Sequence, residues 1–315
     1  MRTNWSTASR AVVLFAVAVL MSGAGVVPSH AQPVLSTLWP NGDGTKWTYD
    51  FVGWDKGFDG QLTTVWDGEA TLTLAGTTTT PGGPAQNLVG WHTDANSKSG
   101  PRMSALYRNL WRARPDLRTA IEARAAKEAQ NATSAPSWVP LLLHDGFFMK
   151  LTDRIEMWQE LSNHSTWTLL TDNLSVGHEF THQLVPELAD DVFLHGTVSS
   201  NDAVIVTPAG TFSNAVKMSY EIDYGVSDMT DDMGTFVGKM TAVTNGHVSY
   251  VPGVGPVDML EEFIPFASID CNPQECPQEY LDRVGEVALH LTMSLQAGPV
   301  AVEERPWSYV KKLYQ

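Results

Sequence analysis

Basic residues are scarce in this sequence, cysteine is all but missing, and no apolar run is long enough to cross a bilayer comfortably. Lysine and arginine together number 20 against 35 acidic residues, a balance that makes nucleic acid an improbable partner. Two cysteines, with no further cysteine or histidine close by, exclude a zinc knuckle. The one long apolar run, AVVLFAVAVLM, is short for a membrane span, and no cysteine follows it to carry a lipid anchor. No G-x-S-x-G elbow, P-loop or dinucleotide-binding fingerprint is present.

What is there begins with a targeting segment. Arg2 and Arg10 precede the apolar run, and the small-residue site Ser29-His30-Ala31 follows it. This is the pattern of a secretory signal peptide spanning 1–31. Cleavage after Ala31 leaves 18 basic and 35 acidic residues, a charge of −17. The expected compartment is the periplasm or the exterior. There Cys271 and Cys276, with four residues between them in CNPQEC, are expected to pair as a disulfide clip.

From Trp39 onward short runs alternate between apolar and polar residues. In WTYDF, Trp47, Tyr49 and Phe51 share one face, after an Asn-Gly-Asp-Gly turn. ATLTLAG, FFMKLTD, RIEMWQE, STWTLL, DAVIVTP, NAVKMSYEI, TFVGKM, HVSYVP and EVALHLTMSL repeat the pattern. The fold class is therefore mainly β and antiparallel. Between Pro101 and Asn131 the chain is instead rich in helix formers and broken once, at Pro115, which predicts two short helices. This insert carries Arg102, Arg108, Arg112, Arg114, Arg118, Arg124 and Lys127, a cationic patch on an acidic body.

An internal repeat organises the rest. GTKWTYDF, from Gly44, aligns without gaps to GHEFTHQL, from Gly177, and both are followed by T-P-x-G-x-x-x-N at Thr80 and Thr207. The reading is a first β-rich unit over 32–100, the helical insert over 101–135, a second β-rich unit over 136–270, and a tail over 271–315 with the cysteine clip and a final strand.

The second copy contains His178-Glu179-Phe180-Thr181-His182, which spells the H-E-x-x-H of zinc peptidases. In that chemistry His178 and His182 would hold zinc and Glu179 would act as base. The repeat, however, makes the stretch a strand. Residues i and i+4 of a strand lie about 13 Å apart, too far to share one metal, and Glu179 falls on the face opposite both histidines. Pro186 opposes the helical alternative. A later acid in the usual place for a third ligand is also missing, since Asp202 lies in a turn. The adjacent acids Asp190-Asp191, Asp231-Asp232 and Glu261-Glu262 read as solvated surface. DMTDDMG, with Asp228, Asp231 and Asp232, offers hard oxygens for calcium but lacks EF-hand spacing.

VIVTPAGTFSNAVKM, from Val204, and SYVPGVGPVDMLEEF, from Ser249, resemble a group of exported bacterial proteins called TapB-like, as do the starts LWPNGDGTKWTYDF and WTLLTDNLSVGHEF. The sequence departs from that pattern at Asp258, where a lysine often stands, and in its Arg-rich insert. The resemblance implies a curved antiparallel sheet or half-barrel with helices at its open face, and no established catalytic residue.

Three functions follow as expectations. The first is a non-enzymatic binding or envelope-associated protein in which Leu106, Leu110 and Trp111 pack inward while Arg108, Arg112 and Arg118 ring a mouth for a lipid or other amphiphile with an anionic head. It needs no cofactor. The second is a zinc-dependent peptidase using His178, Glu179 and His182. The third is a structural surface protein.

Overall fold

The computed structural model describes residues 33–298 apart from 41, 58, 81–82, 95–104, 132–145, 151–152, 159–165 and 232. The expected signal peptide, Arg102, Pro81, Gly82, Asp232, the side chains of Arg124 and Lys127, and the tail past 298 lie outside the described residues.

Among the described residues twelve strands form one antiparallel sheet, and the fold is mainly β, in keeping with the alternating runs. They are β1 (Lys46–Lys56), β2 (Leu62–Thr80), β3 (Gly83–Asp94), β4 (Gly146–Lys150), β5 (Arg154–Trp158) and β6 (Thr166–Thr171), then β7 (Glu179–Gln183), β8 (Phe193–Thr207), β9 (Gly210–Thr230), β10 (Phe236–Val251), β11 (Gly255–Cys271) and β12 (Leu289–Ala297). Their order is β6-β5-β4-β3-β2-β1-β12-β11-β10-β9-β8-β7. Two six-stranded meanders are thus joined through β1 and β12, and the sheet is open between β6 and β7. The strands after the insert, β4 to β6, extend the sheet from β3, so the first meander continues through the insert and the second begins at β7. Both T-P-x-G segments occupy corresponding hairpins, in which Thr80 pairs with Gly83 and Thr207 with Gly210.

Helices are short: α1 (Leu35–Leu38), α2 (Ala105–Ala113), a 3-10 turn at Pro115–Leu117, α3 (Arg118–Asn131) and α4 (Gln278–Leu281). Pro115 divides the insert because it cannot supply the backbone N–H that a continuous helix needs.

Alternation puts Trp47, Tyr49 and Phe51 on the inner face, all buried. At one end of that face Trp47 Nε1 donates to the Val254 carbonyl (2.6 Å) and Tyr49 Oη to that of Pro256 (2.9 Å), fastening the P-G-V-G hairpin between β10 and β11 to β1. Gly255 is needed there, since its φ is +97° and a side chain would press on the Trp47 indole. Trp39, after α1, packs against Trp47 and Tyr250 at 5.7 and 6.2 Å.

One transverse row crosses from β7 to β2 as Phe180, Gly196, Tyr220, Gly246, Glu261, Leu291, Gly53 and Trp66, each the register partner of the next. The Phe180 ring lies on Gly196, the Tyr220 ring on Gly246, and Leu291 and Trp66 on Gly53. Large side chains therefore lie down along the sheet instead of standing up from it, and the space above them is left for a helix. The next row, Val198, Met218, Val248, Met259, Met293 and Phe51, is wholly apolar and buried.

Candidate functional site at the helical insert

Helix α2 lies on the inner face against β9, β10 and β11. Leu106, Tyr107, Leu110 and Ala113 are buried at the spacing of one helix face. Asn109, on the same face, is fully buried; its Nδ2 donates to Thr244 Oγ1 and Glu261 Oε1, both at 3.3 Å. Thr244 Oγ1 in turn lies 2.8 Å from Tyr224 Oη, whose ring meets Phe263 edge-on. Glu261 is 0% exposed, which corrects its reading as solvated surface. Its neighbour Glu262 does point outward, where it bonds His290 Nδ1 (2.9 Å).

Two of the described arginines of the insert, Arg112 and Arg114, are held by carboxylates. Arg112 pairs with Asp55 of β1 at 2.7 Å. Arg108 stands over the Trp66 ring at 5.9 Å. Burial lowers its pKa from the ordinary arginine value, and the charges of Glu261 and Asp55 counter that shift. Arg118 stacks on Trp111 at 4.3 Å and donates to the Trp111 carbonyl (3.2 Å), while Trp111 Nε1 donates to Glu122 (3.0 Å). Of the four residues expected to form a mouth, Arg118 and Trp111 thus make a pair of their own, apart from the inward-turned Arg108 and Arg112.

Arg114, which the sequence did not single out, is the hub between insert and sheet. It donates to both oxygens of Asp116 (3.0 and 2.8 Å), to Asp191 Oδ1 (2.6 Å) and to the Tyr224 carbonyl (3.3 Å). Its hydrogen bond to Asp116 leads the effects that raise the Arg114 pKa, and the same bond holds the Asp116 carboxyl below its ordinary value. Asp191 is correspondingly an ion-pair partner and not free surface. Its carboxylate fills the place a side chain would take at Gly225, whose φ is +75°.

The H-E-x-x-H stretch lies on β7 and just before it. Phe180 and His182 pair with Gly196 and Leu194, whereas Glu179 and Thr181 pair with Thr197 and His195 on the other face. His178 Nδ1 lies 3.1 Å from Asn173 Nδ2, and His195 Nδ1 3.1 Å from Thr181 Oγ1. The two-histidine face of a helix is not formed, and among the described residues no three His, Cys, Asp or Glu side chains gather as metal ligands. In the DMTDDMG turn, Asp231 Oδ1 accepts from the backbone N–H of Met233 (2.9 Å) and Thr235 (2.8 Å).

Cys271 and Cys276 form a disulfide across a Cα separation of 6.3 Å. It closes a small second core in which Met229, Val237, Met240 and Phe266 are buried and Tyr280 of α4 stacks on Phe266 at 4.9 Å.

No protein-family model matches the chain, and no curated protein does. Among solved structures, a candidate exported protein with a YmcC-like fold from Bacteroides fragilis aligns at 12% identity and a TM-score of 0.29, covering 82% of this chain and 97% of its own. A candidate lipoprotein from Parabacteroides distasonis aligns at 14% identity and the same TM-score of 0.29, covering 83% and 98%.

Proposed function

We propose that the protein is an exported, non-catalytic binding or envelope-associated protein that takes an amphiphile on the inner face of its sheet. The observation that carries this reading is the docking of α2. An open sheet has its apolar inner face covered by an insert that is fastened through discrete polar contacts, Arg112 to Asp55, Arg114 to Asp191 and Asn109 to Glu261. The disulfide supports an oxidising compartment, and the resemblance to exported TapB-like proteins points the same way.

The test is native mass spectrometry on protein secreted from its full-length precursor, with lipid extraction of the same sample. The reading requires a bound amphiphile or saturable uptake of a long-chain alcohol or acid. Saturable binding of neither, together with metal-dependent cleavage of a peptide library, would replace it with the zinc peptidase.

A further inference from the structure

We propose that the insert, Ala105–Asn131, is a releasable plug, and that the amphiphile it makes way for has an uncharged, hydroxyl- or ester-bearing head. This rests on the binding reading above and specifies its ligand.

Among the described side chains, the cations that seat α2 already face carboxylates. Three guanidinium groups, Arg108, Arg112 and Arg114, face four carboxylates, Asp55, Glu261, Asp116 and Asp191. An anionic head entering here would compete with carboxylates already in place and meet a small excess of negative charge. Arg112 and Arg114 therefore latch the plug to the sheet.

The hydrogen-bonding capacity is not matched. Tyr220 and Tyr250 are at most 4% exposed, yet neither hydroxyl has a hydrogen-bond partner, and the same holds for Asn109 Oδ1 on the plug itself. Tyr220 adjoins Glu261, which Asn109 holds, and it also feels Tyr250, so these groups belong to one interior region. Each buried hydroxyl without a partner costs the solvation it gave up. With the plug docked, Asn109 Oδ1 and the Tyr220 hydroxyl, one strand from Glu261 in the same row, are without partners, and a ligand with neutral donors and acceptors would supply them. Beside them lies the apolar row of Met218, Val248, Met259 and Met293. Methionine is the side chain that most readily repacks around a chain of variable shape. Uncharged hydrogen-bonding groups next to a pliable apolar floor fit an acylglycerol or a long-chain alcohol.

The experiment displaces an uncharged fluorescent naphthylamine from the full secreted protein with dodecanol, monolauroylglycerol, dodecanoate and dodecyltrimethylammonium. The neutral pair should compete about tenfold better than either ion. Tyr220→Phe and Tyr250→Phe should erase that preference while leaving the melting temperature unchanged or higher, since each removes a stranded hydroxyl. A double variant, Asn109→Cys with Thr244→Cys, should lose probe uptake when oxidised and regain it when reduced, with wild type treated identically as the reference. Better competition by dodecanoate overturns the neutral head. Unchanged uptake by the oxidised double variant overturns the plug. If no amphiphile binds wild type and none binds Arg112→Ala, the binding reading itself falls.

Discussion

Gly246 is the residue that lets the Tyr220 ring lie flat beneath the insert's row. A side chain there would collide with the Tyr220 ring and come within 2.5 Å of the Leu260 carbonyl oxygen, and that backbone atom cannot swing aside. Gly246→Ala should destabilise the protein by about 2–3 kcal/mol in chemical denaturation, in the range of overpacked cores. Gly196→Ala should cost less, because its obstacle is only the ring of Phe180 on the edge strand.

The buried phenols give a second expectation. Burial raises the pKa of Tyr49, Tyr220, Tyr224 and Tyr250. The folded state therefore keeps them neutral where the unfolded chain would ionise, and their contribution, intact at neutral pH, is lost as pH rises past about 10. Denaturation followed against pH should show that loss, and Tyr250→Phe should make it shallower.

Glu261 was legible in principle, since Val257, Met259, Glu261 and Phe263 alternate along one strand face and a lone acid in such a stripe is a buried acid. Asn109 likewise interrupts the apolar stripe of α2. Of the two acids that hold Arg114, Asp116 is a local neighbour, but Asp191 lies far along the chain and only the fold brings it to the insert.

The insert behaves as an element with its own fastening. Arg114 is 9% exposed and its partners 41–46%, so solvent screens the pairs and removal of the guanidinium should cost about 1–2 kcal/mol. The effect of Arg114→Ala should appear as faster hydrogen exchange in 105–131, with the protection of β9 to β11 nearly unchanged. Because Arg114 depresses the Asp116 pKa, that contribution is present at neutral pH and is lost only as pH falls through the depressed value, below about 4. Asp116→Asn should remove this acid sensitivity of insert exchange.

The strand geometry of β7 leads to one more expectation at this scale. Protein purified without chelator or tag should carry well under one zinc per chain, and a stoichiometric zinc lost in His178→Ala would revive the peptidase. The extended state of this stretch was readable from its alignment with WTYDF, and the two insert helices from Pro115. The length of β10 was not, because TFVGKM and HVSYVP read as separate runs when the residues between them lack clear alternation. β11 also escaped, since only its opening hairpin was marked.

At the level of the molecule, the disulfide, the satellite core and the two meanders act together. The bridge encloses a short loop, so breaking it with Cys276→Ser should lower stability by about 2 kcal/mol and leave the β content intact by circular dichroism. Thiol titration of unfolded, unreduced secreted protein should find almost no free thiol. The repeat predicts two related units. It did not show that they share one sheet, because the β1 to β12 ladder joins residues some 240 positions apart, and no local pattern encodes a contact of that range.

That ladder also dictates when the molecule can be made. The strand that joins the two halves is the last described one, so the central seam stays unpaired until β12 has been delivered. Pairing of such range is slow to nucleate and leaves apolar strands uncovered meanwhile. A sheet built this way is completed only once its final described strand has been delivered, so its two halves can meet at the seam last of all.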